Sequence, residues 1–126
     1  MLEVEKINTY YGLSHVLHDL SLSVGKGEAV AFLGRNGAGK STTLKTIMGL
    51  LRPQSGKITM EDRDITESEA HTVALNGISW IPEDRQIFTN LTVFENLKIS
   101  RFPIDGAKHL DDHLDWIFSL FPPLKD

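Results

Sequence analysis

Gly34-Arg35-Asn36-Gly37-Ala38-Gly39-Lys40-Ser41-Thr42 (GRNGAGKST) is the stretch on which the reading of the fold turns. Gly34, Gly39, Lys40 and Ser41 satisfy the spacing G-x-x-x-x-G-K-[ST]. The glycines let the backbone curl so that successive N–H groups point inward at an anion. A helix starting at the lysine directs its free N–H groups and the positive end of its dipole at the same anion. Lys40 is placed to reach the outer phosphates of a nucleotide, and the Ser41 hydroxyl to ligate a magnesium ion. The competing reading is a glycine turn that binds nothing, and the context argues against it. Ala29-Val30-Ala31-Phe32-Leu33 is a continuous apolar run that predicts a strand buried on both faces. Lys40 to Leu50 predicts a helix with Leu44, Ile47, Met48 and Leu51 on one side. Strand, loop and helix in that order predict an α/β fold around a phosphate-binding loop.

Working outward, Leu2, Val4 and Ile7 fit an opening β segment. Leu20, Leu22 and Val24 alternate with serines as a half-buried strand does. Ile58 and Met60 suggest a further strand. Glu67 to Asn76 reads as a helix ended by Gly77. Ile78 to Ile81 is another apolar run, closed by Pro82. Thr92 and Glu95 form a capping box for a short helix. A last helix is expected from about Lys108 to Phe121, stopped by Pro122 and Pro123.

Composition narrows the function classes. The chain has 126 residues, a net charge of −4 and no cysteine. The acidic balance argues against a nucleic-acid partner. Without cysteine there is neither a disulfide framework nor a thiolate metal site. Among the 5 histidines, His109 and His113 alone have a metal-like spacing, but no third ligand accompanies them. No apolar run approaches the ~20 residues of a spanning helix, so a link to a membrane is expected to run through a partner.

The longer stretches TYYGLSHVLHDLSLSVGKGEAVAFLGRNGAGKSTTLKTIMGLLRPQSGKI and GISWIPEDRQIFTNLTVFENL resemble the ATP-binding subunits of ABC transporters. Within that superfamily the second stretch is most similar to the branched-chain amino acid (Liv-type) importer ATPases, with urea-importer ATPases close behind. The resemblance runs from residue 1 to about 105. It implies an ABC-type P-loop nucleotide-binding domain, N-terminal part. Residues 1–33 would form the antiparallel β part and the strand before the loop, and 34–51 the phosphate loop and helix. Residues 52–91 would run to the glutamine-loop region, and 92–126 would begin the helical subdomain.

The resemblance also implies roles. Tyr11 matches the aromatic that stacks on adenine, and Val16 an apolar neighbour of the base. Arg35, Asn36, Gly37 and Ala38 lie in the phosphate loop, and Thr42 matches a contact to the α-phosphate. Glu83 occupies the place of a glutamine that touches Mg²⁺ and the attacking water. A carboxylate keeps the ligating oxygen and adds charge, which suits a hard cation. Gln86 lies three residues too late for that place. Asp62 replaces a usual turn glycine and is expected at positive φ.

ATP and Mg²⁺ are the implied cofactors. Transmembrane permease subunits and a second ATP-binding subunit are the implied partners, at the cytoplasmic face of the cell membrane. The sequence contains no LSGGQ-type signature, no apolar strand ending in Asp-Glu and no switch histidine. Two functions therefore stand side by side. One is part of a dimeric ATPase that powers import of branched-chain amino acids or a similar small polar solute. The other is a truncated nucleotide holder without chemistry, expected to expose apolar edges and aggregate. A small kinase or GTPase is disfavoured: kinases lack the YYG…HVL prelude found here, and the guanine-specifying N-K-x-D of a GTPase is absent.

Overall fold

The alternation in the first two dozen residues builds a long hairpin. Strand β1 (Leu2–Tyr11) pairs antiparallel with β2 (Ser14–Val24), from Leu2 opposite Val24 to Tyr11 opposite Ser14. Gly12 turns the corner at φ +58°. The register slips on either side of Ile7, and Lys6 and Asp19 take positive φ there, so the hairpin bends. This computed structural model describes residues 1–84, 86–99 and 110–125.

Strand β3 (Ser55–Met60) pairs with the other edge of β1, and β4 (Arg63–Asp64) with β3. The order is β2-β1-β3-β4, with every pairing antiparallel. The side chain of Asn8 ties three of these strands together. Its amide donates to Asp19 Oδ1 at 2.9 Å and to Ser55 Oγ at 3.0 Å. Gly56, at φ +98°, begins β3 so close to β1 that a Cβ there would stand 2.5 Å from Lys6 O and 2.6 Å from Ile7 Cα. Asp62 takes φ +66° in the β3–β4 turn, as its position in the sequence predicts.

One sheet face and two helices enclose the core. Val4, Ile7, Leu17 and Ile58 from the strands meet Ile47 and Met48 at the end of α1 (Lys40–Ile47), Ile65, and Val73 of α2 (Ala70–Leu75). Helix α1 differs from expectation in the face it buries. Thr42, Thr43, Thr46 and Ile47 face inward, while Leu44 is exposed. The hydroxyls make this possible: Thr43 donates to Gly39 O at 3.0 Å and Thr46 to Thr42 O at 2.9 Å. The helix also stops earlier than expected, at Ile47, with Gly49 at φ +70° just beyond it.

The apolar runs Ala29–Leu33 and Ile78–Ile81 form no strand among the described residues. This corrects the expectation of a doubly buried strand before the loop. Val30 is 46%, Phe32 40% and Leu33 91% exposed. A strand exists only through its neighbours, and the described strands pair among themselves in an antiparallel sheet that does not include either run. Ile78 and Trp80 still pack against the core, whereas Ile81 is 92% exposed.

The chain divides into two compact units, Met1–Trp80 and Ile81–Asp126. In the second, α3 (Val93–Ile99) begins with the expected capping box: Thr92 N and Oγ1 both donate to Glu95 Oε2 at 2.8 Å, and Glu95 N donates to Thr92 Oγ1 at 3.2 Å. Asn96 reaches back to donate to Phe88 O at 3.1 Å and accept from Phe88 N at 3.0 Å. Helix α4 (Leu110–Leu120) buries Leu114 and ends where Pro122–Leu124 make a 3₁₀ turn. Lys108 and His109, where the sequence places the start of this helix, lie outside the described residues.

Candidate functional site

The loop 34–39 leads directly into α1, whose first residue is Lys40. Gly37 at φ +85° and Gly39 at φ +93° hold left-handed conformations that other residues rarely adopt. Ala38 N donates to Arg35 O at 3.1 Å, closing a turn inside the loop, and Thr43 N donates to Gly39 O at 2.8 Å, opening the helix. The position of Gly39 has a second cause. A Cβ there would stand 2.8 Å from Leu17 Cδ2 and 3.6 Å from Val16 O, so the loop is pressed against β2. Val16, singled out as a neighbour of the base, thus flanks the last glycine of the loop.

The Lys40 ammonium folds back over the loop. Its Nζ donates to Gly34 O at 2.5 Å and to Arg35 O at 2.9 Å. No acidic residue occupies the first turn of α1, and Gly39 offers it no side-chain cap. The first-turn N–H groups therefore keep their capacity for an anion, beside a fixed cation. This donor set fits a chain of phosphates. Ser41 is exposed on the same turn, as a metal-ligating hydroxyl needs to be, and Thr42 is buried beneath it.

A pair of threonines fixes the loop's helix to the sheet. Thr9 Oγ1 and Thr46 Oγ1 lie 3.2 Å apart, both fully buried. Sequence reasoning missed this pair. Its only signal is threonine recurring at helical spacing where an apolar stripe is expected. Tyr11 is two residues beyond Thr9 on β1, so strand alternation puts its ring on the sheet face that carries α1. It is 46% exposed. Tyr10 takes the opposite face and stacks on His15, with ring centroids 4.1 Å apart and planes within 8°.

Glu83 belongs to the second unit, exposed, as is Gln86. Ser41, also exposed, belongs to the first unit. Among the described residues no group of three or more His, Asp or Glu side chains is arranged to hold a metal. His109 and the side chain of His113 lie outside the described residues. No described helix is long and apolar enough to cross a membrane.

The sequence profile of the ABC transporter family matches residues 17–123. The chain belongs to the ABC transporter family. It is 41% identical, over its whole length, to the high-affinity branched-chain amino acid transport ATP-binding protein BraG of Pseudomonas aeruginosa, of which it covers 54%. It is 38% identical over 99% of its length to the probable branched-chain amino acid transport ATP-binding protein LivF of Archaeoglobus fulgidus, covering 52% of it. The lipopolysaccharide export ATP-binding protein LptB of Haemophilus influenzae is 41% identical over 77% of this chain and is covered over 40% of its own length.

Solved ABC structures agree on the fold. The ATP-binding subunit of an ABC transporter superposes with a TM-score of 0.71 at 36% identity, covering 79% of this chain and 41% of its own. A nucleotide-free ATP-binding cassette superposes with a TM-score of 0.70 at 32% identity, covering 86% and 43%. The chain spans about half the length of the ABC relatives it matches. The ABC nucleotide-binding fold expected from the sequence is thus shown, as its N-terminal part.

Proposed function

We propose that residues 34–42 hold the triphosphate of ATP with Mg²⁺, and that a complete dimeric subunit built on this domain hydrolyses ATP to drive solute transport through membrane permease subunits. The observation that carries the first step is the Lys40 ammonium bound to the loop carbonyls beside an acid-free helix start. Backbone N–H groups of Arg35 to Thr42 would line the β- and γ-phosphates. Lys40 would neutralise their charge, and Ser41 would hold the metal. Tyr11 and Val16 would flank the adenine, with Thr42 beside the α-phosphate. Glu83 would add a carboxylate to the metal.

The similarity to BraG and LivF supports a branched-chain amino acid or similar small polar solute, imported at the inner face of the cell membrane. The similarity to LptB supports the same loop chemistry with a different cargo. A second reading concerns these 126 residues taken by themselves, as a nucleotide holder without turnover. The 126 residues carry no Asp-Glu strand end and no LSGGQ-type segment, and phosphoryl transfer needs charge placement as well as positioning.

Calorimetric titration with Mg-ATP and a turnover assay, each with Lys40→Ala as control, test both. Saturable binding lost in the variant is expected, with turnover by this chain no higher than the variant's. Equal binding by the two proteins would remove the phosphate-loop reading. Robust Lys40-dependent turnover would remove the holder reading.

A further inference from the structure

We propose that the outer end of the β1–β2 hairpin carries a second, separate binding site, which takes a small anion, carboxylate or phosphate, borne on a flat apolar body. A pocket of about 360 Å³ opens there, lined by Tyr10, Gly12, Leu13, Arg52 and Gln54. That volume is within the range of small-molecule pockets.

The chemistry of the lining is one-sided. No carboxylate contributes to it. The Arg52 guanidinium, the Gln54 side-chain amide and the Tyr10 hydroxyl have no hydrogen-bond or ion-pair partner among the described residues. All three residues line one space and each can donate a hydrogen bond, and a guanidinium fork matches carboxylate and phosphate geometry. Tyr10 and the fully exposed Leu13 add apolar surface.

The wall is also held in place. Tyr10 stacks on His15, and His15 Nε2 lies 2.9 Å from Asn8 Oδ1, which can only accept. Asn8 is in turn bound to Asp19 and Ser55. The Tyr10 ring is therefore fixed before any ligand arrives, which lowers the ordering cost of binding. Gln54 is anchored through its backbone, its N–H donating to Asn8 O at 2.7 Å. Because Tyr10 and Tyr11 are consecutive on β1, this pocket is on the face opposite Tyr11. It is thus distinct from the surface proposed to meet adenine.

The test uses benzoate and phenyl phosphate as probes, titrated into the full chain and followed by backbone amide shifts. Saturable binding of either probe is expected, centred on Tyr10, Leu13 and Gln54. Benzoate binding alone would assign a carboxylate ligand, phenyl phosphate alone a phosphate ligand, and either supports the site. Arg52→Gln should weaken binding about tenfold or more, as loss of a charge-assisted contact does. Gln54→Leu should weaken it less, and Lys40→Ala should leave it intact. Arg52 is exposed and unpartnered, so its variant should melt with the wild type. Failure of both probes to saturate would overturn the proposal. So would binding that survives Arg52→Gln, or that vanishes with Lys40→Ala, since the anion would then sit on the phosphate loop.

Discussion

The apolar run Ala29–Leu33 is more hydrophobic than any strand of the antiparallel sheet, and the two have opposite fates. In the sheet each strand finds its partner nearby: β2 follows β1 after a short turn, and β4 follows β3. Ile7 and Ile58 end fully buried as a result. Ala29–Leu33 is more apolar than any of these strands, yet the described residues pair nothing with it and Leu33 stays exposed. Hydrophobicity makes a segment fit to be a strand, but a hydrogen-bonding neighbour makes it one. The phosphate loop needs no such neighbour. Its turn, its left-handed glycines and its lysine contacts are local, and they form beside an unpaired run.

Four experiments can break or sharpen this comparison. The largest effect belongs to the paired region. Ile7→Ala should destabilise the first unit by about 2–5 kcal/mol, read from a denaturant midpoint. A change below ~1 kcal/mol would mean that the hairpin core is not packed as described.

Next comes the link between sheet and loop helix. Thr46→Val strands the buried Thr9 hydroxyl and should cost about 1–3 kcal/mol, whereas Thr9→Val/Thr46→Val together should recover much of it. Additive losses in a double-mutant cycle would show that the two hydroxyls do not interact.

The third concerns purely local structure in the second unit. The Thr92 backbone and side-chain hydrogen bonds hold the Glu95 carboxyl below its ordinary value of 4.5. A depressed folded value stabilises α3 at pH above about 4.5, and that contribution fades as pH falls through the lower folded value. Helicity of α3 followed by amide shifts should drop on acidification, and Glu95→Gln should flatten the profile. An unchanged profile in Glu95→Gln would assign the acid response to other groups.

The smallest effect belongs to the unpaired run. Leu33→Ser should change stability by no more than ~0.5 kcal/mol and raise solubility. A loss comparable with that of Ile7→Ala would show that the run is packed in solution.

The same contrast explains what was legible in the sequence. Gly37, Gly39 and Lys40 were readable because their job depends on backbone conformation and on residues a few positions away. The Thr92–Glu95 capping box and the turn at Asp62 were readable for the same reason. The inward face of α1 was misjudged at Leu44. Threonine hydroxyls satisfied by the preceding turn can be buried, and a hydrophobic count scores them as polar. The wall of Leu17 behind Gly39 was invisible, because it depends on how far β2 bends after its bulges. The strand expected at Ala29–Leu33 failed because its pairing partners are non-local. Roles for Tyr11 and Glu83 came from family resemblance. Strand alternation puts Tyr11 on the sheet face that carries α1, and Glu83 is exposed in the second unit.

The most direct test is residue-resolved amide exchange with and without Mg-ATP. The account predicts that the amides of Gly37 to Thr43 gain protection when Mg-ATP is added, that Lys40→Ala abolishes the gain, and that Val30 to Leu33 exchange rapidly in either condition. Unchanged exchange in the loop at saturating Mg-ATP, or slow exchange at Val30 to Leu33 without it, would contradict the account.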